Sequence, residues 1–173
     1  MVHNIHENTS KKDIKKIIAK NISLKPTVID VHFPKPHFIH GKQSQCAIVQ
    51  LPSSTDVDSI MKVQQTIQFR GTESFISRMI PKDYFLSHQT TTGLLIQIQE
   101  NRQLSDEKLE AISQYFERYG SINCKEYING QDIYVIFHNY DAVDQIMLNG
   151  EEQMIDGYTV RVQKVRVPTE RRM

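Results

Sequence analysis

The chain has 173 residues, of which 39% are hydrophobic and 24% charged, a composition typical of soluble globular proteins. It has no apolar run near the roughly 18 residues of a membrane span, and its N-terminus lacks the apolar segment of a secretory signal. The formal net charge of +1 hides an asymmetry: residues 1–80 carry 11 Lys and Arg against 6 Asp and Glu, whereas residues 92–158 carry 4 against 12. A basic surface attracts phosphate and an acidic one repels it, so we expect the two halves to contact nucleic acid unequally.

The second half of the sequence repeats the first. After a shift of 86 positions, Ile48–Met61 aligns with Tyr134–Met147 without a gap, and Asp58 meets Asp144. Two copies indicate a duplicated domain, because a solenoid needs at least three units to bury a continuous core. The predicted organisation is a first domain at 1–80, a linker at 81–91, a second domain at 92–167 and a basic tail at 168–173.

In the first copy, a short strand near Val2–Ile5 is followed by a helix over 11–21, capped by Thr9 or Ser10. The rest of the copy predicts a β-branched strand at 27–33, a turn-rich loop at 34–42, a strand at 45–51, a helix from Ser54 and a last strand at 73–79.

The second copy repeats this order. It predicts a strand at 94–99, a helix at 106–120 capped by Ser105, strands at 122–127 and 132–137, a helix at 141–148 and a strand at 159–165. Asn129-Gly130 between two strand patterns is a strong hairpin signal. Each copy is therefore predicted as an α+β domain with the ferredoxin-like β-α-β-β-α-β order. Two helices would cover one face of a four-stranded antiparallel sheet and leave the other face open.

The third strand of each copy and the first strand of the first copy resemble the RNA recognition motif. The third strand of that family carries an octamer of the form K/R-G-F/Y-G/A-F-V-x-F/Y. The matching segments are SQCAIVQL at 44–51 and GQDIYVIF at 130–137, and Val2–Ile5 resembles the end of the family's first-strand hexamer. The resemblance covers nearly the whole chain as a tandem pair. It implies binding of single-stranded RNA by base stacking on exposed aromatic side chains of strands one and three.

Both copies depart from that pattern at the stacking positions. The first copy has Met1, Cys46 and Ile48 there, and the second has Leu95 and Asp132 and keeps one aromatic. Because each stacked base contributes about 1–3 kcal/mol, we expect a weakened platform in both copies.

Strand alternation suggests what replaces the lost aromatics. We expect His3, His32, Phe75 and Ser77 on the open face of the first copy, and Lys125, Tyr127, Tyr134 and Arg161 on that of the second. The alternative for each is an ordinary half-exposed strand residue. The predicted RNA contacts are His3, Phe38, Lys42, Cys46, Ile48 and Phe75 in the first copy, and Lys125, Tyr127, Tyr134, Arg161, Lys164 and Arg166 in the second.

Five lysines, at positions 11, 12, 15, 16 and 20, cover the face of the first helix opposite its apolar stripe. This face is either simply solvated or extends a phosphate track around the domain. We expect no metal and no cofactor: the histidines at 32, 37 and 40 lack a carboxylate or cysteine at matching spacing, and no glycine-rich phosphate loop is present. Cys46 and Cys124 are predicted to be reduced, half-buried strand residues.

The leading hypothesis is a non-catalytic tandem protein that binds single-stranded RNA with modest specificity, through the open sheet faces and the basic loop and tail. The alternative is a protein–protein interaction module within a ribonucleoprotein or RNA-regulatory complex. A third option is that the acidic second domain docks on the basic first one. We expect a monomer in the nucleus, the cytoplasm or both, with no membrane contact.

Overall fold

The computed structural model describes residues 1–34, 37–39, 42–63, 65–69, 71–79, 90–100 and 103–167, without the side chains of 37–39 and 42–44. The chain divides into two compact units, unit 1 at Met1–Met79 and unit 2 at Ile80–Met173. Within the described ranges, the helices are too short or too polar to cross a membrane.

Unit 1 contains two longer helices and a set of short strands. In chain order these are β1 (Val2–His3), α1 (Lys11–Asn21), a 3-10 helix (Pro26–Val28), β2 (Asp30–His32), β3 (His37–Ile39), β4 (Lys42–Ser44), β5 (Ile48–Gln50), α2 (Ser54–Val63), β6 (Thr66–Phe69) and β7 (Thr72–Ile76). Strands β6, β7 and β1 pair in that order, and β5 pairs with β2. Two 2.8 Å hydrogen bonds between Val2 and Ala47 join these pieces, which gives the order β6-β7-β1-β5-β2.

Helix α1 begins where the sequence predicts. Ser10 is its N-cap: the Ser10 Oγ accepts from the Asp13 N–H at 3.2 Å, and the Asp13 carboxylate accepts from the Ser10 N–H at 3.0 Å. This capping box satisfies two backbone donors at the helix start. The helix then buries Ile14 and Ile18 against the sheet.

The prediction of a loop over 34–42 is wrong in part. Backbone segments β3 and β4 pair there as a separate antiparallel hairpin, in which Ile39 faces Lys42. A segment rich in turn residues can therefore still contain two short paired strands.

Unit 2 has longer strands in the same order. They are β8 (Gly93–Ile98), α3 (Asp106–Glu117), β9 (Ile122–Ile128), β10 (Asp132–Phe137), α4 (Tyr140–Leu148), β11 (Glu152–Ile155) and β12 (Tyr158–Val165). The sheet order β11-β12-β8-β10-β9 is antiparallel throughout. The predicted hairpin between β9 and β10 is confirmed: Asn129 and Gly130 both have positive φ.

Both units carry one short strand that the sequence prediction did not include. Strand β6 precedes β7, and β11 precedes β12; each forms a hairpin at the edge of its sheet. The turns contain Gly71 and Gly157, both with φ of 82°. These edge strands extend the predicted four-stranded sheet without changing its topology.

The helices cover one face of each sheet. In unit 2 the buried core on that face includes Leu94, Ile96 and Val135 from the strands and Phe116 and Ile146 from the two helices. In unit 1, Val31 and Ile67 on the strands and Ile14 and Ile60 on the two helices are likewise buried. Both units therefore have the predicted ferredoxin-like β-α-β-β-α-β fold, with one face free of helices.

An ion pair recurs at equivalent places in the two units. In unit 1, Arg78 Nη1 lies 2.8 Å from Asp58 Oδ1, and in unit 2 the Lys164 ammonium pairs with the Asp144 carboxylate. The partners are separated by the same 86 positions as the sequence repeat. Each pair ties the second helix of its unit to the chain at the end of the last strand. The pair in unit 2 is nearly sealed, with 6% and 1% of the two side chains exposed.

We predict that Lys164→Met destabilises unit 2 by about 3–5 kcal/mol, because it removes the ammonium from beside a buried carboxylate. The measurement is urea unfolding of the full chain. The control is Arg161→Met, which breaks the half-exposed pair of Arg161 with Glu151 and should cost less than about 1 kcal/mol. Equal losses in the two variants would contradict a special role for the buried pair.

Candidate nucleic-acid interface

The open face of unit 1 presents one exposed aromatic side chain among the described residues. Phe75 on β7 lies opposite His3 on β1 and Thr66 on β6, and its side chain is 38% exposed. Toward the other edge, the half-buried Ile48 on β5 lies opposite the exposed His32 on β2. Aromatic and apolar side chains are thus available on both sides of the centre of this face.

The centre of the same face is not available. His3 is 9% exposed, Cys46 6% and Ser77 2%, and His3 Nε2 lies 2.6 Å from Ser77 Oγ. The prediction that His3 and Cys46 contact RNA is therefore corrected: neither side chain offers the area that a base needs. Burial also raises the pKa of the Cys46 thiol, an effect partly offset by the charge of the N-terminal ammonium.

Two other predicted contacts of unit 1, Phe38 and Lys42, lie in β3 and β4. Their side chains fall outside the described part of the structure, so their assignment remains a sequence prediction.

The open face of unit 2 keeps Tyr134 in an acidic setting. Tyr134 is half-buried and lies between Leu95 on β8 and Glu126 on β9. Asp132 lies on the same face as Tyr134, two residues before it on β10. Glu152 on β11 adds a further carboxylate opposite Arg161. Because phosphate is repelled by such a surface, this face is less suited to RNA than that of unit 1.

Arg161 lies on the open face as predicted, and 51% of its side chain is exposed. Its Nη2 is 3.4 Å from Glu151 Oε2, a loose pair that leaves the guanidinium accessible. Arg166 is also exposed, just beyond the end of β12.

Lys125 and Tyr127 do not lie on the open face, and this prediction is wrong. They pair with Val135 and Ile133, both buried under the helices, so they share the helix side of the sheet. The cause is the connection between β9 and β10. Ile128 pairs with Asp132, so three residues connect the two strands, whereas the Asn-Gly signal predicts a two-residue turn. The extra residue shifts the register of β9 by one position, and such a shift turns every side chain of the strand to the opposite face of the sheet.

On the helix side these two residues bind Glu110 of α3. Its carboxylate accepts from Lys125 Nζ at 2.5 Å, from the Tyr127 hydroxyl and from Gln114 Nε2 at 3.0 Å. The hydrogen bond from Lys125, followed by those from Tyr127 and Gln114, lowers the pKa of Glu110 to about 2. The same bond to Glu110 raises the pKa of Lys125. The cluster therefore fastens the edge strand β9 to α3.

Lys164 is likewise removed from the predicted RNA contacts. It follows the buried Val160 and Val162 in the alternation of β12, so its side chain points to α4 and Asp144. An ammonium that is 6% exposed and held by a carboxylate cannot meet a phosphate without breaking that pair.

The sequence reasoning missed a contact at the end of the open face of unit 2. A Cβ on Gly93 would lie 2.9 Å from the Val167 Cγ2, so the glycine leaves the space that this valine side chain fills. Val167 is 5% exposed, and Ile136, opposite Gly93, is 3% exposed. The chain beyond β12 thus covers one end of the face. The sequence signal for this contact was Gly93 itself, because a glycine inside a strand often marks a place where another part of the chain approaches closely.

The described ranges contain no group of three or more His, Cys, Asp or Glu side chains that could hold a metal ion. Cys46 is buried and Cys124 is exposed, both as free thiols.

Comparison with known proteins adds a likeness at the level of fold. No family model matches the sequence, and no curated protein matches it. Similar solved structures include RNA recognition domains 1 and 2 of Sex-lethal from Drosophila melanogaster, with 16% identity, a TM-score of 0.38, and coverage of 95% of this chain and 97% of that one. The three N-terminal RNA binding domains of the yeast splicing factor Prp24 are also similar, with 12% identity, a TM-score of 0.38, and coverage of 96% of this chain and 66% of that one. The RNA binding domain of Hrp1 in complex with RNA has 13% identity, a TM-score of 0.36, and coverage of 96% of this chain and 95% of that one. Values this low do not bear on the ligand of this chain.

We predict that Glu110→Gln changes how stability depends on acid. A carboxyl whose pKa is lowered in the folded chain contributes stability that is complete above its ordinary pKa of about 4.3 and is lost as the pH falls toward the folded value. The wild type should therefore exceed the variant in melting temperature at pH 7, and the difference should shrink between about pH 4.5 and pH 2. Thermal unfolding across that range measures it, and a difference that does not change with pH would contradict it.

Proposed function

We propose that this chain is a non-catalytic tandem module that binds single-stranded RNA, and that unit 1 is the leading module. The observation that carries the proposal is Phe75: an exposed aromatic side chain on the open sheet face of the more basic half of the chain. The sequence resemblance to the RNA recognition motif supports the same reading. Stacking a base on such a side chain contributes about 1–3 kcal/mol and works for any base.

The surroundings of Phe75 suit a short stretch of RNA. On the opposite half of the face, Ile48 and His32 offer an apolar surface and an imidazole with a hydrogen-bonding edge. Residues 1–80 carry an excess of five positive charges, which attracts the phosphate backbone. The buried centre between these two patches limits the number of stacked bases, so modest affinity and modest specificity follow.

Unit 2 would add a weaker contact. Tyr134 is half-buried beside two carboxylates, but Arg161 and Arg166 are exposed and can meet phosphates. Two weak sites on one chain, joined by residues 81–91, gain through effective concentration. The combination fits a protein of the nucleus or cytoplasm that holds RNA without acting on it.

We predict that Phe75→Leu weakens binding of a randomised single-stranded RNA about 5- to 150-fold, because the stacking surface is lost while the strand is kept. Fluorescence anisotropy with a labelled oligonucleotide at low salt measures this change. The matched control is Val63→Ala, which trims an apolar side chain that is 67% exposed on α2. The control should bind as the wild type does.

The two modules can be ranked by the same assay. Tyr134→Leu should weaken binding less than Phe75→Leu does, because Tyr134 is already half-buried. A chain in which Phe75 and Lys42 are both replaced should lose most binding. Unchanged affinity in that double variant would rule out unit 1 as the leading site.

The second candidate function is capture of a protein partner by unit 2. Its open face combines Glu126, Asp132 and Glu152 with an exposed Met154, and residues 92–158 carry a net charge of −8. Such a surface suits a basic segment with apolar anchors. Nuclear magnetic resonance shifts confined to unit 1 on RNA addition would leave this face free for that role.

A further inference from the structure

A basic groove on the helix side of unit 1 is built at an electrostatic cost. Among the described residues this open depression is lined by Lys11, Lys12, Lys15, Lys16, Pro26 and Thr27. It lies between the first half of α1 and the 3-10 helix.

The lysines stand where a helix tolerates them least. Lys11 and Lys12 occupy the first turn of α1, where the helix dipole is positive and disfavours cations. The pairs Lys11–Lys15 and Lys12–Lys16 are four residues apart, so like charges face each other on adjacent turns. Each effect destabilises the helix.

The fold does little to neutralise this charge. Within the described part of unit 1, the lining lysines show one ion pair, between Lys15 Nζ and Asp30 Oδ1, at 4.0 Å with Asp30 81% exposed. Four lysines placed together with this little neutralising charge among the described residues point to a function for the groove.

We infer that this groove binds the phosphodiester backbone of RNA, as a second contact surface on the opposite side of unit 1 from Phe75; this rests on the proposed function. Four ammonium groups supply charge for phosphates, and lysine acts on phosphate as a point charge without base preference. The described lining has no aromatic ring on which a base would stack. The groove therefore holds flanking nucleotides of a strand whose bases meet the sheet.

The inference predicts that the groove matters for long RNA and not for short RNA. A strand of about 5 nucleotides occupies the sheet face alone, whereas one of about 20 also reaches the helix side. In the full chain, Lys12→Gln/Lys16→Gln should weaken binding of the long strand about tenfold at low salt. The negative slope of log affinity against log salt should become shallower by about 1.4, since two phosphate contacts are lost. Binding of the short strand should not change.

A matched variant separates the groove from net charge. Lys20→Gln/Lys62→Gln removes the same two charges from exposed positions of unit 1 outside the groove and should keep the salt slope and the gain with length. The groove variant should also melt at a higher temperature than the wild type, because a like-charge repulsion in α1 is relieved. A gain in stability together with a loss of binding excludes unfolding as the cause.

Each other outcome overturns the inference in a distinct way. Equal behaviour of the two double variants, with Phe75→Leu still harmful, would reject the groove and keep the proposed function. Failure of the wild type to bind either strand would reject both. If the groove variant weakens binding of polyglutamate but leaves binding of the long RNA unchanged, the groove is a site for acidic peptides.

Discussion

The register of the antiparallel strands decides which side chains this protein presents to solvent and which lie under its helices. In both units the first strand is central and pairs on both sides, so a single alternation of side chains runs across the sheet. Residues in phase with Ile96 form the core, and those in phase with Leu95 form the open face. The position of a residue in this alternation therefore decides whether its side chain faces the core or is available to a ligand.

The two units use this plan differently after their duplication. Both retain an ion pair between the second helix and the end of the last strand, which holds that helix on the sheet. Away from this pair the sequences have diverged, and the position of Phe75 in unit 1 is taken by Arg161 in unit 2. Unit 1 combines an aromatic with basic charge, whereas unit 2 combines carboxylates with apolar side chains. That contrast is the basis of the proposal that unit 1 leads the contact with RNA.

Much of the fold followed from the sequence, because helices such as α1 carry an apolar stripe and a cap, and the strands carry alternating β-branched residues. The two edge strands were not foreseen, since short polar segments such as Thr66–Phe69 have little signal of their own. The candidate site was harder to predict. One extra residue in the β9–β10 connection moved Lys125 and Tyr127 to the other face, and Lys164 was captured by a buried carboxylate. Charge and residue type are visible in a sequence, but pairing partners are not.

The two cysteines of the chain differ in a way that experimenters can use. Cys46 is buried and its pKa is raised, so little reactive thiolate is present at neutral pH, whereas Cys124 is exposed on the open face of unit 2, opposite Ile136. A maleimide dye should therefore attach to Cys124 in preference to Cys46 in the folded, unmodified chain. The natural sequence thus supplies a fluorescent reporter position on the acidic face, without any engineered residue.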